Sequence, residues 1–240
     1  MNQPLFPGGT AVSNLQVYDW EAPDGLHGGS PHMHCVSTEA YVVVAGSGEA
    51  HTISSGGFQV EALNAGSVLW FSPGTIHRLV NTGGLEIVVV MQNAGLPEAG
   101  DAVMTFPIET LRDPDAYAKA AALPNEAADH ERADAARARR DLAMDGYEQL
   151  LAAVEQDGVA ALGEFHQLAA ALVQPRIARW HEIWHDTVAA ETERTRHQLK
   201  ALADGNYHHL AGGEVARTEQ RPGSRLFGMC GRLQTWQRVP

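Results

Sequence analysis

Three histidines and one glutamate in the first third of the chain have the types and spacing of a metal-ligand set. His32, His34 and Glu39 stand in the string His32-Met33-His34-Cys35-Val36-Ser37-Thr38-Glu39, which runs on to Gly46. His77 stands in a second string, Gly66-x7-Gly74-x2-His77-x3-Asn81, with Pro73 just before Gly74. Imidazole and carboxylate together make the mixed nitrogen and oxygen donor set that first-row divalent metals take. Such a set would leave about two coordination positions for a substrate and for water or oxygen.

Distant residues meet only if ordered elements bring them together. Tyr41-Val42-Val43-Val44, Val68-Leu69-Trp70-Phe71 and Val88-Val89-Val90 are rich in β-branched and aromatic residues and predict strands. Side chains alternate along a strand, so His32 and His34 share one face and Glu39, Tyr41 and Val43 share another. Ser72-Pro73-Gly74-Thr75 is a turn ahead of His77. A small closed barrel would aim these inward faces at one point.

The two strings closely resemble the two signature motifs of the cupin superfamily, over roughly residues 11 to 95. That resemblance implies a jelly-roll β-barrel with a metal inside. His32, His34, Glu39 and His77 fall on the family's ligand positions, and Gly46 and Asn81 on the motif ends. Two departures touch no ligand: the glycine ahead of the first motif is displaced (Gly25, Gly28 and Gly29 are near), and Pro73 abuts Gly74. The expected cofactor is one divalent transition metal: iron, manganese, nickel, copper or zinc.

Composition narrows the rest. The chain has 240 residues, 44% of them hydrophobic, which suits one large or two small domains with a packed core. No apolar run approaches the ~20 residues of a membrane span. Met1 to Pro7 lacks the basic start and apolar core of a signal peptide. Two cysteines, Cys35 and Cys230, are too few for a disulfide scaffold, so a cytoplasmic setting is expected. Cys35 should face away from the ligands as a packing residue.

The net charge is −12 and is unevenly spread. Residues 1–112 carry −8 and contain no lysine, residues 113–205 carry −7, and residues 206–240 carry +3. Arg78, next to His77, should point to the other side of its strand. A phosphorylated substrate would need cationic donors that the barrel lacks.

After residue 95 the pattern turns helical, with Ala, Leu, Glu and Arg dominant. Helices are predicted over residues 125–154, 159–173 and 176–203, separated by Asp157-Gly158 and Gln174-Pro175. The expected division is a β-barrel over 1–110, a helical region packed on it over 111–205, and a tail over 206–240 that could add strands to the barrel or to a neighbouring subunit. Its arginines are the best source of an anion contact.

A competing motif lies in the third helix. His181-Glu182-Ile183-Trp184-His185 resembles the H-E-x-x-H signature of zinc metalloproteases, which sets two histidines one turn apart. Its metzincin extension is absent, and no later helix offers a glutamate ligand. Trp180 and Trp184 at i, i+4 suggest instead a helix docking an aromatic face.

Two function classes follow. One is a metal-dependent enzyme on a small neutral or chelating molecule, with dioxygenase-type oxidation favoured slightly over a sugar isomerase or epimerase. There Tyr41, Val43 and Phe71 would line the substrate pocket, and Glu39 could leave the metal to act as a base. The other is a non-catalytic ligand-binding or regulatory module, similar in layout to arabinose-type regulators. DNA binding is not expected, because the helical region is acidic. A homodimer is.

Overall fold

Alternating apolar residues become strands along most of the first hundred residues. The computed structural model describes residues 6–236, so the readings of residues 1–5 and 237–240 lie outside them. Its strands are β1 (Ala11–Val17), β2 (His32–Met33), β3 (Glu39–Ser54), β4 (Gly57–Asn64), β5 (Val68–Phe71), β6 (Ile76–Met91), β7 (Val103–Met104), β8 (Leu226–Phe227) and β9 (Gly231–Thr235). They form one sheet in the order β4-β3-β6-β1-β9-β8, with β2 between β6 and β7 and β5 beside β3. This is a jelly-roll sheet with a helical region at its C-terminal side.

The hydrogen-bonded path does not close into a ring, as the sequence reading expected of a barrel. Bending takes the place of closure. The long β3–β6 ladder carries bulges between Val43 and Gly48, and a bulge bends its strand. Gly46 lies at the bend with φ 73°, and a Cβ there would meet the Gly84 carbonyl oxygen at 2.2 Å. Only glycine fits, which gives the end of the first motif a backbone reason. The ladder folds over itself, and its two halves face each other across a lumen.

That lumen is filled by Leu15, Tyr41, Val43, Leu79, Ile87 and Met91, among others. On the outer side of the half that bears His77, Met33, Ile53 and Ile76 pack against the helices. These helices are α1 (Ile108–Leu111), α2 (Pro114–Ala121), α3 (Asp129–Asp157), α4 (Gly163–Val173), α5 (Ile177–Trp184) and α6 (Ala190–Ala203). The first predicted helix is thus shifted toward Gly158, whose φ of 71° ends it. The second begins with a 3-10 turn over Val159–Leu162. The third is broken by a π-helical turn over His185–Ala189.

Close approach ties α3 to the sheet. A Cβ on Gly146 would meet the Thr105 carbonyl oxygen at 2.1 Å, and the Thr105 hydroxyl donates to the Ala143 carbonyl at 2.8 Å. The tail returns to its own sheet, with β9 antiparallel to β1 and Leu233 opposite Leu15. Two of its arginines are committed locally, Arg225 to Asn14 and Glu86 and Arg232 to Asp129. An anion contact from them would need these bonds broken.

Candidate metal centre

The strand register assembles the ligand set. His32 on β2 lies opposite His77 on β6. The next inward position across the sheet is Thr52 on β3, opposite His77. Glu39 opens β3 in the facing half, paired with Phe71 and Met91. His32, His34, Glu39 and His77 thereby each place one donor atom within 4.8 Å of all the others. None is more than 6% exposed.

Hydrogen bonds decide which nitrogen of each ring is free. His32 Nδ1 lies 2.9 Å from the Ser30 carbonyl oxygen, and His77 Nδ1 lies 3.1 Å from that of Thr75. His34 Nδ1 bonds the carbonyl oxygen of Asp101. A carbonyl only accepts, so each Nδ1 carries the proton and each Nε2 turns inward. His32 and His77 then set Nε2 against Nε2 at 3.1 Å. Glu39 Oε2 lies 3.3 Å from His34 Nε2 and 3.1 Å from His77 Nε2, yet its geometry satisfies no hydrogen bond. Converging lone pairs with a buried carboxylate are stable only if a cation or protons sit among them.

The titration shifts follow from this crowding. Burial pushes the His32 imidazole well below its ordinary value, and the neighbouring His77 and His34 add to that. Burial also opposes charge on His34, but contact with the Glu39 carboxylate raises it overall. Glu39 would be raised by burial, yet His34 and His77 hold it well below the usual carboxylate range. His34 and Glu39 are thus each shifted toward the charged form. The residues fit a divalent cation, which would compete with protons for the same inward donors.

Asp101 is a residue to which neither motif points. Fully buried, its carboxylate accepts from the backbone N–H groups of Cys35, Val36 and Ser37 at 2.8, 3.0 and 2.9 Å. It thus fixes the turn joining His34 to Glu39 while its own carbonyl orients His34. No spacing rule could have found it, since it lies more than sixty residues away in sequence. Cys230 is a second omission: its Sγ lies 4.0 Å from His32 Nδ1, and burial pushes the thiol far up. Cys35 packs instead on the helix side, half-buried, with its thiol pushed up to about 12.

The three residues expected in a pocket lie on the lumen side. Tyr41 and Phe71 rings are 5.3 Å apart, and Phe71 is 4.2 Å from the His77 ring. Val43 is buried deeper in the lumen core. The Tyr41 hydroxyl is buried without a hydrogen-bond partner, and burial together with the Glu39 carboxylate raises its pKa. Arg78 points to the opposite side of β6, as expected, but it is buried there against Asp24.

The helix motif assembles nothing comparable. His181, Glu182 and His185 are exposed, and among the described residues no metal-capable cluster includes them. Glu182 pairs with Arg179 at 2.7 Å. Trp180 is buried and donates to the Ala99 carbonyl at 3.1 Å, whereas Trp184 is 45% exposed. Only one of the two tryptophans docks: the loop at Ala99 covers Trp180, and Trp184, one turn on, is left largely in solvent.

Residues 11–99 match the family model described as Cupin. No curated protein matches the chain. Among solved structures, Streptomyces PAC13 with uridine is 18% identical over 37% of this chain and 62% of that one, with a TM-score of 0.29. The Pac13 structure described as a unique nucleoside dehydratase is 18% identical over 41% and 69%, at 0.32. A predicted oxalate decarboxylase from Thermotoga maritima is 24% identical over 35% and 64%, at 0.27. The chain thus spans less than two thirds of the length of the first of these. With both motifs on a bent jelly-roll sheet and matched by the family model, residues 11–99 are a cupin domain.

Proposed function

We propose that the protein is a metal-dependent enzyme acting on a small neutral or metal-chelating molecule, with oxygen-dependent oxidation as its reaction. The observation that carries the metal is the convergence of three Nε2 lone pairs and the Glu39 carboxylate, each imidazole held by a backbone carbonyl behind it. A bound iron, manganese, nickel or copper ion would supply a Lewis acid with redox capacity and open positions for substrate and oxygen. Zinc would restrict the site to Lewis-acid or proton-transfer work, such as sugar isomerisation.

The chain's own residues set the limits of that chemistry. The lumen is apolar and aromatic beside the ligands, and the one arginine near them is turned away and paired with Asp24. A neutral substrate would bury no net charge there, whereas a phosphorylated one would bury its charge unpaired at far greater cost. Tyr41 stays protonated, so its partnerless hydroxyl is free to donate to a substrate oxygen. Phe71 offers a ring face beside His77. Glu39 serves as a ligand, and its depressed pKa makes it a poor base until its contacts with His34 and His77 break. Both cysteines are free, which supports a reducing, cytoplasmic setting. Among the described residues, no helix is long and apolar enough to cross a membrane.

The test is oxygen uptake by the metal-loaded protein against flavonoids, diketones, aromatic diols and free sugars. Consumption that requires both metal and substrate supports the proposal. Turnover of a free sugar without oxygen would replace it with an isomerase. Tight binding of one compound with no turnover would make the protein a sensor.

A further inference from the structure

The row of side chains that holds two of the ligands continues beyond them. His32 on β2 lies opposite His77 on β6, His77 opposite Thr52 on β3, and Thr52 opposite Gln59 on β4. Residues directly opposite in a ladder point to the same face, so all four side chains stand on the ligand side of the sheet. Two neighbours agree with that facing. The His51 and Phe58 rings meet on the outer side, 5.8 Å apart, and Leu63, on the same face of β4 as Gln59, is buried in the lumen core. Exposure rises along the row, from 1% at His77 to 8% at Thr52 and to open solvent at Gln59.

The two sides of the lumen are built differently. Beside β1 and β2 the tail closes it: the Ser30 N–H donates to the Met229 carbonyl at 2.9 Å and the Tyr18 N–H to that of Cys230 at 3.1 Å. A Cβ on Gly29 would meet the Cys230 Cα at 2.3 Å, so the chains are in backbone contact there. On the other side β4 and β5 each pair with β3, in opposite halves of the fold, and among the described residues not with each other. A turn from Asn64 to Ser67 joins them at the bend. Away from that turn, Gln59 on one edge and Phe71 on the other border the unbonded side at the level of the ligands. Phe71 is half-buried there, its ring 4.2 Å from that of His77. Among the described residues the Thr52 hydroxyl, the Gln59 amide and the carboxylate of Glu61, the next inward residue on β4, enter no hydrogen bond or ion pair.

We propose that the substrate enters between β4 and β5 and lies along this row, with its chelating group at the ligands and an alcohol group held by Thr52 and Gln59. The inference deepens the proposed function and rests on its reading of a small molecule bound at the metal. Two strand spacings, about 10 Å, separate His77 from Gln59, so the substrate is longer than a bare chelator. A hydroxyl and a primary amide each both donate and accept, which suits a neutral alcohol. Glu61 sets a negative charge at the entrance and disfavours an anionic tail. Edge strands also carry polar residues that only discourage pairing with other chains. In that role Thr52 and Gln59 would be indifferent to what the ligand carries.

Calorimetric titration of three hydroxamates into the zinc-loaded protein tests the proposal: acetohydroxamate, hexanohydroxamate and ω-hydroxyhexanohydroxamate. All share one chelating head, and only the last carries an alcohol within reach of the row. In wild type that alcohol should tighten binding about fivefold over hexanohydroxamate, the worth of one hydrogen bond. Thr52→Val with Gln59→Leu should abolish the gain and leave zinc content and acetohydroxamate affinity near wild type. Gln59→Ala is the milder variant should the pair misfold, and it should reduce the gain. Gln59→Trp, which fills the entrance, should slow acetohydroxamate association about tenfold in stopped flow. An alcohol that gains nothing in wild type would overturn the proposal, as would a gain that survives the double variant or an unchanged association rate in Gln59→Trp. A wild type that holds zinc but binds no acetohydroxamate would overturn the proposed function itself, and this inference with it.

Discussion

His32 and His77 on paired strands, and His181 and His185 on one helix, are both histidine pairs with a glutamate at hand. In the first pair the rings are buried, each Nδ1 is tied to a backbone carbonyl, and both Nε2 atoms face a buried carboxylate. In the second the rings are exposed, Glu182 is engaged by Arg179, and His185 touches only Asp186. Residue type and spacing are alike favourable in both. What separates them is what stands behind each ring and how much water is in front of it. A ligand set is made by its supports as much as by its ligands.

Replacing both members of each pair should break the symmetry of the motifs completely. His32→Ala with His77→Ala should reduce bound metal from about one ion per chain to nearly none by elemental analysis. His181→Ala with His185→Ala should leave it unchanged. A halving in the second variant would show the helix motif to be a site.

The same contrast should hold for charged pairs beside each motif. Arg78, next to His77, is fully buried but its partner Asp24 is exposed, and leaving a buried donor unsatisfied costs about 1–3 kcal/mol. Asp24→Asn should therefore lower unfolding stability by about that much in denaturant melts. Glu182→Gln breaks an exposed pair with Arg179 and should cost at most about 0.5 kcal/mol. Equal costs would mean that the two regions are alike in energy.

Asp101 sharpens the comparison further, since the helix motif has no counterpart. Asp101→Asn keeps the shape but loses acceptor capacity toward the N–H groups of Cys35, Val36 and Ser37. Loss of such a support typically weakens metal binding about 10- to 100-fold. Calorimetric titration of the variant checks this, and unchanged affinity would remove Asp101 from the account.

Acidity acts on the same ligands. His34 is raised, so in the metal-free protein its protonated form stabilises the fold below the unfolded value near 6.5 and loses that contribution as pH rises through the folded value. Glu39 is depressed, so its contribution is present above 4.5 and lost only as pH falls through its low folded value. Metal must displace the His34 proton, so affinity should fall by about tenfold per pH unit below that raised value. Affinity independent of pH from 7 to 5 would contradict the assigned protonation.

The ligands were legible because strand alternation converts spacing directly into facing: His32 and His34 are two apart, and Glu39 and Tyr41 are two apart. The bend at Gly46 was visible only as a motif glycine, because its reason is the Gly84 carbonyl, far away in sequence. Asp101 and Cys230 were illegible for the same cause, being single residues whose role comes wholly from long-range contact. Trp184 misled because a shared helix face says nothing of what packs on it, and the loop at Ala99 reaches Trp180 and leaves Trp184 largely exposed. The third helix was legible as helix, but its exposure past Trp180 among the described residues is a property of packing and not of propensity.

X-ray absorption at the edge of the bound metal tests the central claim most directly. The account predicts three imidazoles and one carboxylate oxygen in the first shell, with one imidazole lost in a partly loaded His77→Ala protein and none lost in His181→Ala with His185→Ala. A shell of two imidazoles that His77→Ala leaves unchanged would contradict it.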